Sequence, residues 1–456
     1  MAYTLALYDT FDRKAKPLSK DKVSMYVCGL TPYADTHVGH LRTYLVFDML
    51  KRLLYSLGIE VFHIQNITDV DDKLIKRSKE LNKPVLEIAS YYQREADKLF
   101  SLFNILPADI YPKVSEHIPE IVELVQILID KGYAYEVKSG VYFSTSKFKD
   151  YGKLSGQVGG VKESVERVQH EDDKHDKSDF ALWKKDTEGI SFDSPFGRGR
   201  PGWHIECSAM ALKYAGALDI HGGATDLIFP HHENEIAQSE AATGRRFVGT
   251  WVHCGLLTVN GEKMSKSLGN FITVRDALKR HHPMALRLFY LRSHYRSSFD
   301  YNDRGIDEAY EAYKRISRFF SLLKKPKHGA YNAELHAAVE ALWEKFLSSM
   351  CNDLDSPSAL AAFFDLMGKA LPFLEQGIHP LTHFALQKAF AEMLFILGIS
   401  VEEGGVEKLV DSLLKQREQY KASRDFKVSD AIRKALSEAG IEVQDTQEGP
   451  KWHYIS

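Results

Sequence analysis

Between residues 22 and 84 the apolar residues change period repeatedly, and no other stretch narrows the fold as far. Residues 23–28 form a short apolar run of strand length, followed by a turn-rich segment from Gly29 to Gly39 that holds Pro32. Val38, Leu41, Leu45, Met49 and Leu53 then recur at helical spacing, and Gly58 supplies a stop. Residues 61–67 read as a second strand, and Asp69 is placed to cap a helix ending near Asn82-Lys83-Pro84. Strand, helix, strand, helix is the opening of a parallel α/β sheet.

The pattern then shifts. Residues 118–130 read as an apolar helix stopped by Gly132, and 133–137 with 141–144 as a hairpin. Residues 152–179 are rich in glycine and then in charge, with the run His170-Glu171-Asp172-Asp173-Lys174-His175-Asp176, and read as an exposed, mobile, solvated loop. Sheet signals resume at 218–221 and 250–259, so the stretch from about 110 to 200 is an insertion between two halves of one α/β domain. From about 303 the chain is helical: Tyr310, Tyr313, Ile316, Phe320 and Leu323 share a face. Residues 335–350, 359–374 and 384–397 repeat this, broken at Pro326, Pro357 and Pro380, which predicts a helix bundle. A long charged helix is expected over 401–440, then a short strand at 441–443 and a polar end with Trp452.

The chain's 456 residues suit about three domains. With 44% hydrophobic and 27% charged residues it is neither disordered nor fibrous. No apolar run approaches the roughly 18 residues needed to span a bilayer, and residues 1–20 lack the apolar core of a signal peptide. A cytoplasmic location with no membrane partner is expected. Four cysteines, at 28, 207, 254 and 351, are too sparse for a disulfide framework. The net charge of −3 neither announces nor excludes a nucleic-acid partner.

Three motifs carry chemistry. His37-Val38-Gly39-His40 opens a helix after a strand, where a helix dipole and free N–H groups suit polyphosphate. Gly39 lets a nucleotide approach the backbone. Lys263-Met264-Ser265-Lys266-Ser267 follows an expected strand at 251–259 and the turn Asn260-Gly261; its lysines can clamp a leaving pyrophosphate. The third comprises Met25-Tyr26-Val27-Cys28-Gly29, Gly202 to Met210, and Phe229 to Glu235. His231 and Glu235 share a helix face at i, i+4 spacing, and Cys28 and Cys207 could complete a zinc-compatible set. On these grounds His204, His232 and Cys254 compete as ligands.

The first two motifs, in this order, resemble the paired signatures of class I aminoacyl-tRNA synthetases. With Asn66 to Lys73, Asp179 to Lys184, Trp203 to Met210, His221-Gly222-Gly223, His231 to Glu235 and Lys263 to Asn270, most of the chain resembles cysteinyl-tRNA synthetase. The first motif has Val38 where isoleucine is common, and the 152–179 stretch matches least. The resemblance implies an α/β fold: a Rossmann-like class I catalytic domain with an insertion, an α-helical bundle and a small C-terminal anticodon-binding domain. The divisions expected are 1–110 with 200–300, 111–199, 301–400 and 401–456.

It further implies one zinc on Cys28, Cys207, His231 and Glu235, and ATP with magnesium at His37, Gly39, His40, Gly222, Gly223, Asp226, Lys263 and Lys266. His37, His40, Lys263 and Lys266 would be the catalytic residues, and Gly29, Thr68 and Trp203 would line the amino-acid pocket. The expected partners are L-cysteine, ATP and the tRNA for cysteine, and the expected state is a monomer. A zinc that prefers thiolate would reject serine without an editing domain. Arg417, Lys421, Arg424 and Lys427 are expected to form a tRNA-facing stripe, with Trp452 in an anticodon-reading unit. Two alternatives share some of these features: a cysteine ligase with a small amine acceptor, and a metal-binding RNA-interaction protein without catalysis.

Overall fold

A computed structural model describes residues 3–157, 173–264, 269–401, 405–423, 425–439, 441–446 and 449–454. The chain opens with an antiparallel pair, β1 (Leu5–Asp9) and β2 (Lys14–Leu18). β3 (Lys22–Leu30) is almost wholly buried, as expected of a strand covered on both faces. α1 (Val38–Ser56) follows, and Gly58, at φ +78°, turns the chain into β4 (Glu60–Ile67), parallel to β3.

α2 (Asp72–Leu81) is capped by Asp71, whose side chain accepts from the Lys73 N–H at 2.8 Å. The cap is therefore not Asp69. That carboxylate accepts instead from the Ser115 N–H and hydroxyl at 2.9 and 2.5 Å, a long-range tie that local spacing does not reveal. α2 closes on left-handed Asn82, and α3 (Val85–Leu102) starts after Pro84.

α4 (Ile118–Asp130) leads into β5 (Ala134–Glu136) and β6 (Gly140–Phe143), the expected hairpin. β7 (Phe180–Lys184) and β8 (Arg200–Pro201) complete a separate antiparallel sheet. Within the charged loop, residues 158–172 lie outside the described residues. The rest is not simply solvated: Asp173 accepts from the Ser139 N–H at 2.9 Å, and buried Asp179 accepts from the Thr145 N–H and the Tyr135 hydroxyl at 2.9 and 2.7 Å. These acids hold the hairpin. Lys184 and Arg200 both reach Asp72, at 3.2 and 2.8 Å, and fasten this sheet to α2.

α5 (Trp203–Ala215), β9 (Leu218–Ala224), α6 (Glu233–Thr243) and β10 (Val248–Cys254) return the chain to the parallel sheet. Its order is β10-β9-β3-β4. The chain steps from β3 to β4 on one side and later returns to β9 on the other. The carboxyl ends of β3 and β9 thus flank the switch point at which such sheets bind ligands.

The single strand expected at 250–259 is broken. β11 (Leu257–Val259) pairs with β12 (Glu262–Lys263) and, beyond α7 (Val274–Leu278) and α8 (Pro283–Leu291), with β13 (Phe299–Tyr301). Buried Arg42 causes the break by collecting the carbonyls of Gly255, Leu256 and Ser297 at 2.8, 3.0 and 2.6 Å. Only glycine fits there, since a Cβ on Gly255 would lie 2.4 Å from the Ser297 carbonyl.

α9 (Asp303–Leu323), α10 (Ala333–Cys351), α11 (Ser356–Gln376) and α12 (Pro380–Leu397) form the bundle. Pro357 and Pro380 stand in first turns, where the missing N–H is no loss. One core runs from α1 through α8 into this bundle. α13 (Gly405–Ala422), α14 (Phe426–Glu438), β14 (Ile441–Thr446) and β15 (Gly449–Tyr454) enclose a second small core of Val410, Leu414, Leu436, Ile441 and Val443, with Trp452 packed on it.

The long helix expected over 401–440 is thus two helices, the second capped by Asp425. The basic stripe fails with it. Arg417 is buried and holds Asp445 through two hydrogen bonds of 2.7 and 2.9 Å, Lys421 reaches the same carboxylate at 3.0 Å, and Lys427 is on the other helix. Arg424 lies outside the described residues.

Candidate functional site

Cys28 lies near the carboxyl end of β3, Cys207 in the second turn of α5, His231 in the turn before α6 and Glu235 in the first turn of α6. All four are buried, and one ligand atom from each falls within 4.8 Å of the others. His231 Nε2 is 3.0 Å from Glu235 Oε1, which is 3.9 Å from Cys28 Sγ. A tetrahedral zinc with bonds of roughly 2.0–2.3 Å sets its ligand atoms roughly 3.3–3.8 Å apart. Two sulfurs, one imidazole and one carboxylate therefore fit that ion in chemistry and in spacing.

The four groups share protons among themselves. The Cys28–Cys207 hydrogen bond comes first in holding the Cys207 thiol down to about 6, while burial pushes Cys28 up. Burial opposes charge on His231, but Glu235 and Cys207 outweigh it and lift the imidazole to about 10. Burial likewise opposes charge on Glu235, yet His221 and His231 bring it down to about 2. Cys207 and Glu235 are thus held ionised, whereas Cys28 is held as the thiol and His231 as the imidazolium, and each of these two must give up a proton to ligate a metal.

A second set, Cys28, His221, His232 and Glu235, is equally close, so the competition seen in the sequence exists in space. His232 Nε2 is 3.2 Å from Cys28 Sγ, and its Nδ1 is 2.7 Å from His253 Nε2. His204 instead meets the far side of His231, Nδ1 to Nδ1 at 3.0 Å. Cys254, buried on β10, belongs to neither set. His221 meets Glu235 from a different element, β9 against α6, a contact that periodicity along one element does not reveal.

Around this group stand the expected pocket residues. The Trp203 ring stacks on His231 at 4.3 Å. The Gly29 N–H donates to Asn66 Oδ1 at 2.8 Å, and the Asn66 amide donates to the Thr68 hydroxyl at 3.1 Å. Asn66 joins the two, a role that comes from the pairing of β4 with β3 and not from local spacing. A Cβ on Gly29 would lie 1.5 Å from the Asn66 carbonyl oxygen, so strand packing alone demands glycine. Glu206 is a further buried acid here, pushed well up by burial and then by Cys207.

The phosphate-type motifs converge. His37 caps α1: its Nδ1 accepts from the N–H groups of Gly39 and His40 at 3.1 and 3.3 Å. Those N–H groups, expected from the sequence to be free for a phosphate, are thus already engaged. His40 stacks on His37 at 3.6 Å, and burial holds it neutral. A Cβ on Gly39 would lie 3.6 Å from the Met264 methyl, and the Val38 N–H donates to the Ile272 carbonyl at 3.1 Å. Both flanks of the lysine-serine loop therefore rest on the start of α1. Lys263 ends β12, whereas Lys266 lies outside the described residues. Gly222 is needed for packing, since a Cβ would meet Phe47 and the Val252 carbonyl at 2.3 Å. Gly223 is buried beside Leu227, and Asp226 is exposed beyond the end of β9.

Residues 14–311 match the family model of the tRNA synthetases class I (C) catalytic domain. The cysteine–tRNA ligase of Geobacillus sp. (strain WCH70) is 41% identical over 461 residues, covering 98% of this chain and 99% of its own. That of Thermococcus kodakarensis is 42% identical over 473 residues, covering 99% of each. Among solved structures, Mycobacterium tuberculosis methionyl-tRNA synthetase in complex with methionyl-adenylate superposes with a TM-score of 0.60 at 16% identity, covering 83% of this chain and 90% of that one. This last likeness speaks for the fold. No described helix is long and apolar enough to cross a membrane. The parallel sheet with its two converging motifs, and the identity sustained over whole chains, place this chain in the cysteine–tRNA ligase family of class I aminoacyl-tRNA synthetases.

Proposed function

We propose that this enzyme joins cysteine to its tRNA through an adenylate. A cysteine carboxylate oxygen attacks the α-phosphorus of ATP, the bond to the bridging oxygen breaks, and pyrophosphate leaves cysteinyl-adenylate. A hydroxyl of the tRNA's terminal adenosine then attacks the activated carbonyl and AMP leaves. No protein side chain becomes bonded to the substrate; the catalysis is positional and electrostatic.

The observation that carries this reading is the buried group of Cys28, Cys207, His231 and Glu235. These residues would hold a zinc, which when bound supplies a preference for thiolate over hydroxyl. Gly29, Thr68 and Trp203 would frame the amino acid. Neutral His40 would act on phosphate as an N–H donor rather than a cation, with His37 stacked beside it. Lys263 and Lys266 would neutralise the departing pyrophosphate, and magnesium would accompany ATP. Gly39, Gly222 and Gly223 would let adenosine and phosphates approach, with Asp226 accepting from a ribose hydroxyl. The 1–110 and 200–300 segments would form the catalytic domain, 111–199 its insertion, 301–400 the bundle, and 401–456 the anticodon-binding unit of a cytoplasmic monomer.

The test is exchange of labelled pyrophosphate into ATP with each of the twenty amino acids. Cysteine should support exchange and serine at equal concentration should not. Comparable turnover with serine would refute the thiolate-selective site.

A further inference from the structure

α1, α3, β4 and the 104–111 segment surround a cavity of about 400 Å³. That falls within the roughly 300–1,000 Å³ of small-molecule sites. None of the residues assigned above to cysteine, ATP or metal lines it. Its wall is mixed: Tyr44 and Phe47 from α1, Phe100 from α3 and Tyr111 give it aromatic faces, and Gln65 and Asp97 are among its polar members. Asp97, Ser101, Pro107 and Tyr111 are its exposed lining residues.

His63 on β4 is also part of the wall and is only 4% exposed. Among the described residues neither of its ring nitrogens has a hydrogen-bond partner. Its backbone is fully used: the N–H donates to the Asp109 carboxylate at 2.7 Å, and the carbonyl accepts from the Asp109 N–H at 2.8 Å. Asp48, another buried polar residue of this wall, is saturated by Arg287, by Arg52 at 2.9 Å and by the Leu106 N–H at 2.7 Å. Burial holds the His63 ring neutral, down to about 3.

A neutral imidazole offers one donor and one acceptor. Both ring nitrogens are inaccessible in this rotamer, and a half-turn about Cβ–Cγ would place each where a ring carbon now stands. The aromatic walls suit a flat occupant, and desolvation disfavours a charged one.

We propose that this cavity is a second small-molecule site, taking a neutral planar aromatic heterocycle whose donor or acceptor edge pairs with His63. Such an occupant would rest against Tyr44, whose hydroxyl donates to the Cys28 carbonyl at 3.3 Å, and so would sit behind the candidate metal centre.

The probe is quinazolin-4-one, a neutral bicycle with an amide edge, titrated into the full-length protein by calorimetry with saturating AMP to fill the nucleotide site. Naphthalene serves as the apolar control. Quinazolin-4-one should bind more tightly than naphthalene. Affinity should fall about tenfold in His63→Phe, which keeps the aromatic packing and removes the polar edge. It should be lost in Ser101→Trp, an exposed position at the mouth where a bulky side chain leaves the core untouched. Absence of binding, or unchanged affinity in Ser101→Trp, overturns the site. Unchanged affinity in His63→Phe overturns the assigned chemistry.

Discussion

His221 and Glu235 face each other in full burial, with Nε2 of the imidazole 2.8 Å from Oε2 of the carboxylate. The other carboxylate oxygen faces His231. Strand β9 and helix α6 are thereby locked together, and the carboxylate is oriented before any ion arrives. Outer partners of this kind tune ligand orientation and basicity.

His221→Gln should therefore weaken zinc binding by about 10- to 100-fold without abolishing it. Competition with a chromophoric chelator measures this. An unchanged dissociation constant would show that Glu235 needs no such support.

Lys266→Ala should slow pyrophosphate exchange by about a hundredfold at saturating cysteine, with little change in the cysteine concentration for half-maximal rate. The lysine is assigned to charge that grows only as pyrophosphate leaves. A defect confined to cysteine affinity would contradict that role.

Much of this was legible from local pattern. The β3–α1–β4–α2 opening follows from a change of period, and His231 with Glu235 from helical spacing. What was missed depends on contacts far apart in sequence. Asp69 looks like a cap but is claimed by Ser115; the run after Trp251 looks like one strand until Arg42 gathers its carbonyls. Arg417 looked like a surface cation because its partner, Asp445, is 28 residues away. His221 and Asn66 were hidden for the same reason: their roles come from β9 and β4 converging on β3 and α6.

Arg287 is fully buried, holding Asp48 and the carbonyls of Leu397 and Phe103 at 2.6 and 2.9 Å. It joins α8 to α1 and to the end of α12. Arg287→Met keeps the volume but removes all three interactions, and Asp48 retains Arg52 as a partner at 2.9 Å. The loss should be near the lower end for a broken buried pair, about 3 kcal/mol. Thermal unfolding should show a midpoint lower by several degrees; an unchanged midpoint would count against this clasp.

His282 caps α8 by accepting from the Met284 N–H at 3.1 Å, and burial lowers its imidazole to about 4. The unfolded chain takes up that proton first, near 6.5. The neutral ring's contribution is thus complete above about pH 6.5 and is lost as pH falls toward 4, by about 1–2 kcal/mol at pH 5. His282→Asn keeps a capping acceptor but cannot titrate. Urea midpoints at pH 7.5 and 5.0 should differ less in this variant than in the parent; an equal drop would mean that His282 does not report on acid destabilisation.

The last prediction concerns the small C-terminal core. Its apolar residues form a cluster of their own, whereas Ile399 belongs to the main core and the Ser400 carbonyl accepts from the Tyr313 hydroxyl at 3.2 Å. Val401 also packs on the main core. A cut after Val401, rather than at Gly398, therefore removes α13 to β15 while leaving those contacts intact. Adenylate formation is assigned to none of the removed residues, so pyrophosphate exchange should continue at close to the parent rate. Charging of tRNA should need more tRNA, with a reduced dependence on salt if basic residues of this unit meet the backbone. Arg417 should not be among them, since it is committed to Asp445; Lys427, on an exposed part of α14, is the better candidate. Lys427→Ala in the intact chain should raise the tRNA concentration needed for half-maximal charging, while Arg417→Ala should lower the stability of the small core. Full charging efficiency in the shortened enzyme would show that tRNA is read elsewhere.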